Sequence, residues 1–317
     1  MTAALGPRAV LVTRETEYEG LMARHATRGQ AEFFLRERAL SVEGPQRRAQ
    51  SLQAMVAEIR AALPRDWRIA QVRRADLDRF LFAPEDVVVA VGQDGLVANV
   101  AKYLDGQPVI GVNAEPDRNP GILVPHTVAS AIRMLRPAAE GQAPTEARTM
   151  LRAALDTGPH ILALNEVFIG HASHQSARYV IEWGRQQEAQ SSSGLIVASG
   201  TGATGWALSI GRATGVRLDL SPTAAEAAFL VREPWPSQAT GTAVTHGRLG
   251  ALDRLRVVSR MNEDGVVFAD GIEKDRLAFP YGAGLQVGVA EQRLRLVQAE
   301  RAVPAVRRRA AAAAGGR

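Results

Sequence analysis

Residues 87–100 read VVVAVGQDGLVANV. The first five, Val87 to Val91, are small or β-branched apolar residues with no polar interruption, the composition of a strand covered on both faces. Gly92, Gln93, Asp94 and Gly95 turn the chain, and residues 96–104 have the spacing of a helix. A strand running through a glycine turn into a helix is the first half of a parallel β-α-β unit. Glycines let backbone N–H groups come close to a polyanion, and the helix presents its positive N-terminal end at the same point. Asp94 falls where strand meets helix, the usual place for a ligand in an α/β sheet. A carboxylate there can be a general base toward a hydroxyl, a metal ligand or simply a helix N-cap, and the turn alone leaves all three open.

The same alternation extends to both sides. Residues 9–13 (AVLVT), 67–72 and 108–112 predict strands; residues 18–38 and 127–135 have helical spacing. In residues 45–63, Leu52, Met55, Val56, Ile59 and Leu63 recur at three and four, and Pro64 ends the helix. Strands separated by helices imply an α/β domain with a parallel sheet. From Pro137 onward the texture changes to short apolar or alternating runs: 148–154, 161–169, 178–183, 195–199, 229–232, 255–261, 266–268, 285–289 and 294–297. Bounded by Gly, Ser, Pro and Asp, they predict a β-rich, sandwich-like domain. The expected division is residues 1–137 and 138–298, joined through PAAEGQAPT at 137–145, with 299–317 a mobile tail rich in Arg and Ala.

Composition narrows the classes. A length of 317 residues suits two domains, and 46% hydrophobic against 22% charged excludes general disorder. The net charge is +5, carried almost wholly by scattered arginines, with Lys102 and Lys274 the only lysines and part of the excess in the tail. Interleaved charge with only 5% aromatics argues against a nucleic-acid partner. There is no apolar run of the roughly 18 residues that a membrane span needs and no signal-peptide pattern at the start, so a cytoplasmic protein with no membrane partner is expected. The absence of cysteine excludes disulfide scaffolds and thiol catalysis. Neither lysine follows a glycine, which excludes a Walker A loop, and no H-E-x-x-H or G-x-S-x-G occurs. His171 and His174 have a spacing that could hold a metal but lack an adjacent carboxylate.

Two further stretches carry polar or glycine patterns. Residues 200–205, GTGATG, satisfy the dinucleotide fingerprint G-x-G-x-x-G after a strand-like run. They lie in the β-rich half, however, far from the alternating region where a Rossmann unit should begin. Residues 162–170, LALNEVFIG, place Asn165 and Glu166 inside a hydrophobic strand. Polar side chains there need partners, so they buttress a turn or grip a ligand hydroxyl. Neighbours on a strand point to opposite faces, and both can serve one pocket only if the strand ends or bulges between them.

Taken in order, these pieces resemble the NAD kinase family. Gly92 to Gly95 match its Gly-Gly-Asp-Gly loop; Gly111, Val112 and Asn113 its Gly-Val/Ile-Asn segment; Asn165 and Glu166 its Asn-Glu/Asp pair; Thr201 to Ser209 its glycine-threonine loop; Asp270 and Gly271 its late Asp-Gly. The style of TRETEYEGLMARHATRGQAEFFLRER, GVNAEPDRNPG, NEVFIGHASHQSARY, SSGLIVASGTGATGWALSI and FLVREP is similar to the mitochondrial-type NAD kinases and their bacterial relatives. The resemblance implies transfer of a phosphoryl group from ATP, or from inorganic polyphosphate, to the 2′-hydroxyl of the adenosine ribose of NAD. It implies Asp94 as the base and Gly92, Gln93 and Gly95 as donors to phosphate. Asn113, Asn165, Glu166, Thr201, Thr204, Gly205, Trp206 and Ser209 would bind NAD. Mg²⁺ or another divalent cation would accompany ATP, with no protein ligand identified, and the chain would form a homodimer or larger homo-oligomer. Gln93 and Leu96 depart from the family loop, giving a bulkier cradle without one hydroxyl; Ser193 replaces an acidic residue, and Gly205 and Trp206 stand for Ala and Tyr. Two other readings share part of the pattern: a lipid kinase of the diacylglycerol or sphingosine type, and a catalytically silent dinucleotide-binding protein.

Overall fold

The computed structural model describes residues 6–299; the expected tail lies, from residue 300 on, outside the described residues. The first half runs β1 (Arg8–Thr13), α1 (Glu17–His25), α2 (Arg28–Arg36), α3 (Glu43–Ala62), β2 (Arg68–Arg73), β3 (Asp86–Gly92), α4 (Asp94–Ala101), β4 (Pro108–Asn113) and α5 (Val128–Ala139). Strands β2, β1, β3 and β4 pair side by side, all parallel. Their uninterrupted apolar character has the expected cause, since alternate side chains enter different cores. Val10, Val12, Val88 and Ala90 pack with Leu96, Val97 and Val100 of α4, while Ala9, Leu11, Val87 and Val89 pack with Ile59 of α3 and Ala131 and Leu135 of α5. Each valine, leucine or isoleucine among them, at 0–3% exposure, contributes roughly 1.5–3 kcal/mol of burial.

The helix expected across residues 18–38 is two. Thr16 and Glu19 form a reciprocal capping box at the start of α1, and Thr27 caps α2 through the N–H of Gln30, so a second helix begins with only Ala26 and Thr27 between it and the first.

The second half contributes β5 (Thr145–Leu155), β6 (His160–Ala163), β7 (Glu166–His171), β8 (Ala177–Trp183), β9 (Gln186–Ser192), β10 (Leu195–Ser199), α6 (Trp206–Thr214), β11 (Ala227–Val231), β12 (His246–Leu249), β13 (Leu255–Ser259), β14 (Gly265–Ala269), β15 (Ile272–Ala278) and β16 (Gly284–Val297). Among the described residues, an antiparallel sheet of six strands has the order β12-β11-β10-β7-β14-β15. It packs against a sheet formed by β16, β13, β8 and β9, with β5 and β6 alongside. Val167, Ile169, Val197 and Phe229 from one face meet Tyr179, Ile181, Val257 and Val287 from the other. The expected fold class, α/β followed by a β-rich sandwich, is the one observed.

β16 joins the halves. It pairs with β5 along its length, with an irregularity between Val289 and Arg293, and its last residues pair in parallel with β4, Arg295 opposite Pro108 and Leu296 opposite Val109. The runs 285–289 and 294–297, expected as separate strands, are one strand interrupted by that bulge. The parallel sheet thus continues into one sheet of the sandwich, whose other sheet carries β7, so that β3, α4 and the start of β7 are set in one frame. No helix among the described residues is long and apolar enough to cross a membrane.

Candidate functional site

The site begins at the end of β3. Gln93 is extended (φ −119°, ψ 167°) and is the N-cap of α4, without a side-chain capping bond, while Asp94 is the first helical residue. Asp94 is therefore not the cap. Its half-buried carboxylate reaches back to the segment after β4: Oδ1 accepts the N–H of Leu123 at 2.8 Å and Oδ2 that of Ile122 at 3.2 Å. Each oxygen keeps a lone pair beyond its backbone donor, so the group is oriented without being used up. The N–H of Leu96 donates to Gln93 O at 2.9 Å, while those of Asp94 and Gly95 in the first turn of α4 have no capping side chain and are open to an anion.

Gly111 explains how the 121–126 segment comes so close. A Cβ there would lie 2.0 Å from the Leu123 carbonyl oxygen and 2.8 Å from Val124 Cα, so only glycine lets this segment lie on β4. Asn113 fastens the same loop, its Nδ2 donating to Asn119 O at 3.0 Å and its Oδ1 accepting from Glu115 N at 3.0 Å. Leu96 does not crowd the turn. It is 2% exposed and packs beneath β3, where a Cβ on Gly92 would touch its Cδ2 at 3.0 Å. The hydroxyl expected there is missing, but the bulk points into the core.

A cavity of about 330 Å³ opens beside Gly92 and Gln93. Leu52 lines it, and Arg14, Arg48 and Arg118 bring three guanidinium groups to it, two of them held by Glu17 and Glu115. These cations come from the end of β1, from α3 and from the loop after β4, so no local motif could have announced them.

The second part of the site lies where the run 162–170 breaks. It is not one strand: β6 ends at Ala163 and β7 begins at Glu166, so Asn165 sits outside the pleat. Each backbone group of the break is occupied. The Asp270 carboxylate accepts the N–H of Leu164 (2.9 Å), Asn165 (2.7 Å) and Glu166 (3.2 Å). The carbonyls of Leu164, Asn165 and Glu166 accept from Ser199 Oγ, Ser199 N–H and Asp270 N–H. Among the described residues, the side chains of Asn165 and Glu166 have no hydrogen-bond partner. Burial, and then the charge of Asp270, raises the Glu166 carboxyl to about 7. Burial raises Asp270 to about 6, against the pull of its amide donors and of Lys102. Unpaired polar groups beside a displaced carboxyl make this break a candidate ligand site.

The GTGATG stretch packs on this break and is not a Rossmann turn, because β10 is antiparallel to both neighbours. Ser199 Oγ accepts the N–H groups of Thr201 (3.1 Å) and Gly202 (3.3 Å), folding the loop over Asn165. Thr201 is buried, and its Oγ1 has no partner among the described residues; Thr204 Oγ1 donates to Thr201 O at 3.0 Å. Thr204, Gly205 and Ser209 are exposed at the start of α6. Trp206 stacks on Phe168 (5.8 Å between centroids), which stacks on Phe268 (4.7 Å), and Arg232 lies 5.1 Å over the Trp206 ring. Glu166 and Phe168 share one face of β7, so the carboxyl and the aromatic stack border the same surface.

The two parts are tied together. Asn99 of α4 donates from Nδ2 to Asp270 O at 3.2 Å, and Lys102, just past α4, pairs with Asp275 at 2.7 Å. Asp94 and Asn99 are about 7.5 Å apart along the helix axis. Two hydrogen-bonded steps thus lead from the Asp94 helix to Asn165 and Glu166. Ser199, Asn99 and the three arginines were not expected at the site from the sequence. Among the described residues no group of three or more His, Asp or Glu could hold a metal, His171 and His174 included.

Fold and site define an α/β domain continued by a β-sandwich, with a glycine turn at an uncapped helix start in one and a polar strand break in the other. No family model matches the chain. By sequence it is 33% identical over 143 residues to an NAD kinase of Acidithiobacillus ferrooxidans, covering 41% of this chain and 45% of that protein. It is 30% identical over 159 residues to an NAD kinase of Thermotoga neapolitana (48% and 58%), and 28% identical over 191 residues to the mitochondrial NAD kinase 2 of Rattus norvegicus (44% and 44%). The matched stretches span about half the length of these relatives. Among solved structures, an NAD kinase from Archaeoglobus fulgidus in complex with ATP has a TM-score of 0.55 at 18% identity, covering 92% of this chain and 94% of that one. Yeast NADH kinase complexed with NADH has a TM-score of 0.56 at 14% identity, covering 93% and 84%. The resemblance to the NAD kinase family is borne out: relatives by sequence are NAD kinases, and the chain has the NAD kinase fold.

Proposed function

We propose that this chain is an NAD kinase, a phosphotransferase acting on the 2′-hydroxyl of the adenosine ribose of NAD. The observation that carries the reading is Asp94, oriented by two backbone N–H groups at an uncapped helix start and linked through Asn99 and Asp270 to the unpaired Asn165 and Glu166. Residues 1–137 would bind the donor and 138–298 the NAD. Backbone N–H groups at Gly92, Gln93 and Gly95, with Arg14, Arg48 and Arg118 nearby, suit the donor's phosphates, whether ATP as in the archaeal neighbour's complex or polyphosphate. Asn165 and Glu166 suit ribose hydroxyls, and Thr201, Thr204, Gly205, Trp206 and Ser209 the rest of the dinucleotide. Asn113, with its amide engaged in its own loop, acts on the site by holding that loop.

Asp94 takes the proton of the 2′-hydroxyl as its oxygen bonds to the terminal phosphorus, while the bridging oxygen–phosphorus bond of the donor breaks and leaves with ADP or the shortened polyphosphate. Among the described residues no group of three or more His, Asp or Glu could hold a metal, and a divalent cation would come with the donor: bound with ATP, Mg²⁺ would neutralise phosphate charge. The likeness to the family also supports a homodimer or larger assembly and a cytoplasmic setting.

An assay offering ATP and polyphosphate against NAD and NADH tests the reading; formation of NADP or NADPH is expected. Phosphorylation of diacylglycerol or sphingosine without NADP would replace it with the lipid kinase. Tight NAD binding with no transfer from either donor would favour the silent binder.

Acidity separates binding from stability. With Glu166 at about 7, the carboxylate that accepts ribose hydroxyls is lost below neutrality, so NAD affinity is expected to fall about tenfold between pH 8 and pH 6. Stability should move the other way. Both acids titrate higher when folded than when unfolded, so protonation stabilises the fold below the ordinary carboxylate range, and this is lost as pH rises through about 6 and 7. Calorimetric titration with NAD and melting curves across that range check the pair; affinity flat with pH would remove Glu166 from the ribose.

A further inference from the structure

We propose that Asp270 is a positioning residue for the dinucleotide: its carboxylate fixes the break between β6 and β7 so that Asn165 and Glu166 face the ligand in one arrangement. The proposal deepens the NAD kinase reading and rests on it for the identity of the ligand.

Asp270 opens the two-residue turn between β14 and β15, where Ala269 pairs with Ile272. Asp270 and Gly271 both have left-handed backbones, φ 51° and 68°, as a tight hairpin turn requires. The turn does not need an aspartate, because Asn-Gly serves such a turn equally well. The strand break does. Three amide N–H groups converge on two carboxylate oxygens, Oδ1 taking Asn165 and Glu166 and Oδ2 taking Leu164. An asparagine has one acceptor oxygen, and its NH₂ would face an amide hydrogen at the other position. Two requirements meeting at one residue can thus be separated by a one-atom change.

The cradle also fixes what the break can do. With all six backbone groups of residues 164–166 occupied, the break cannot slip into register with β6 or β7, and only its side chains remain to recruit a ligand. The charged groups around it are Glu166 on its own segment, Lys102 at the end of α4 and Asp275 on β15, which also accepts the Tyr103 hydroxyl at 2.9 Å. Glu166 and Asp270 repel, so the cradle holds the ligand-facing carboxyl beside a like charge, and ribose hydroxyls donating to Glu166 relieve it.

Asp270→Asn keeps the turn and breaks the cradle. Amide exchange at Leu164, Asn165 and Glu166 should quicken at least tenfold while β10 and β11 exchange as before. NAD should bind at least tenfold more weakly with the KM for ATP unchanged, and the midpoint of the pH dependence of NAD binding should move to lower pH, since Glu166 loses its negative neighbour. An Asp270→Asn chain that binds NAD like the parent, or whose amides at 164–166 exchange at parental rates, overturns the proposal. If the variant does not fold, the unaltered chain decides: the ¹⁵N–¹H signals of Leu164, Asn165 and Glu166 should titrate together near pH 6, and independent or absent titration overturns it. An unaltered chain that binds no NAD would sink the kinase reading instead, leaving the amide measurements to judge the cradle.

Discussion

Asp94→Asn is expected to lower the turnover number for NADP formation by about 10²- to 10⁴-fold, the usual worth of a positioned general base. The substitution preserves shape. The amide oxygen can stay on the N–H of Leu123, the shorter of the two contacts, and the NH₂ group then faces the N–H of Ile122. Ile122 is 52% exposed, so water can take over that donor and the loop keeps its place on β4. Melting temperature and NAD affinity should therefore be close to those of the parent, and the loss should appear in turnover. A turnover number unchanged by the substitution would remove Asp94 as the base. Equal losses in NAD affinity and turnover would mean that the carboxylate acts by holding the 121–126 segment.

The legible parts of this protein are those whose cause is local. Residues 87–91 gave a buried strand because each side chain has a core to enter, and the turn after them was readable from two glycines and an acid. β9, with the sequence QQEAQSS, was not read as a strand: it lies at the end of the sheet order, where pairing with β8 alone demands no apolar alternation. The break at Leu164 and Asn165 was hidden inside an apolar run, since the groups that end the strand, Asp270 and Ser199, are 106 and 35 residues from Leu164 in the chain. The arginines of the cavity beside Gly92 and Gln93 were invisible for the same reason. Resemblance to a family singled out Asp94 and the Asn165–Glu166 pair, while the means by which they are held came only from the assembled backbone.

Gly202→Ala is expected to weaken NAD binding by more than a hundredfold, the larger effect on the acceptor side. A Cβ at 202 would lie 2.1 Å from the Asn165 carbonyl oxygen and 2.6 Å from its carbon, both backbone atoms. Real contacts need more than an ångström of extra room, and none is free: the same carbonyl accepts the N–H of Ser199 at 2.9 Å, and the N–H of Asn165 is held by Asp270 at 2.7 Å. Either the loop carrying Thr201 lifts off the strand break, or Asn165 is driven from its cradle. In both cases the unpaired Asn165 amide and the Thr201 hydroxyl lose their common alignment. Overpacking of this kind costs about 1–3 kcal/mol, roughly 2–10 °C in melting temperature. A useful control is Gly29→Ala in α2, where a Cβ meets nothing within 4 Å and better helix propensity should add about 0.4–1 kcal/mol. Binding calorimetry on the two variants separates close packing at the break from a general effect of losing a glycine. NAD affinity within threefold of the parent in Gly202→Ala would show that the loop and the break tolerate separation, and that Asn165 binds the dinucleotide without Thr201 pressed against it.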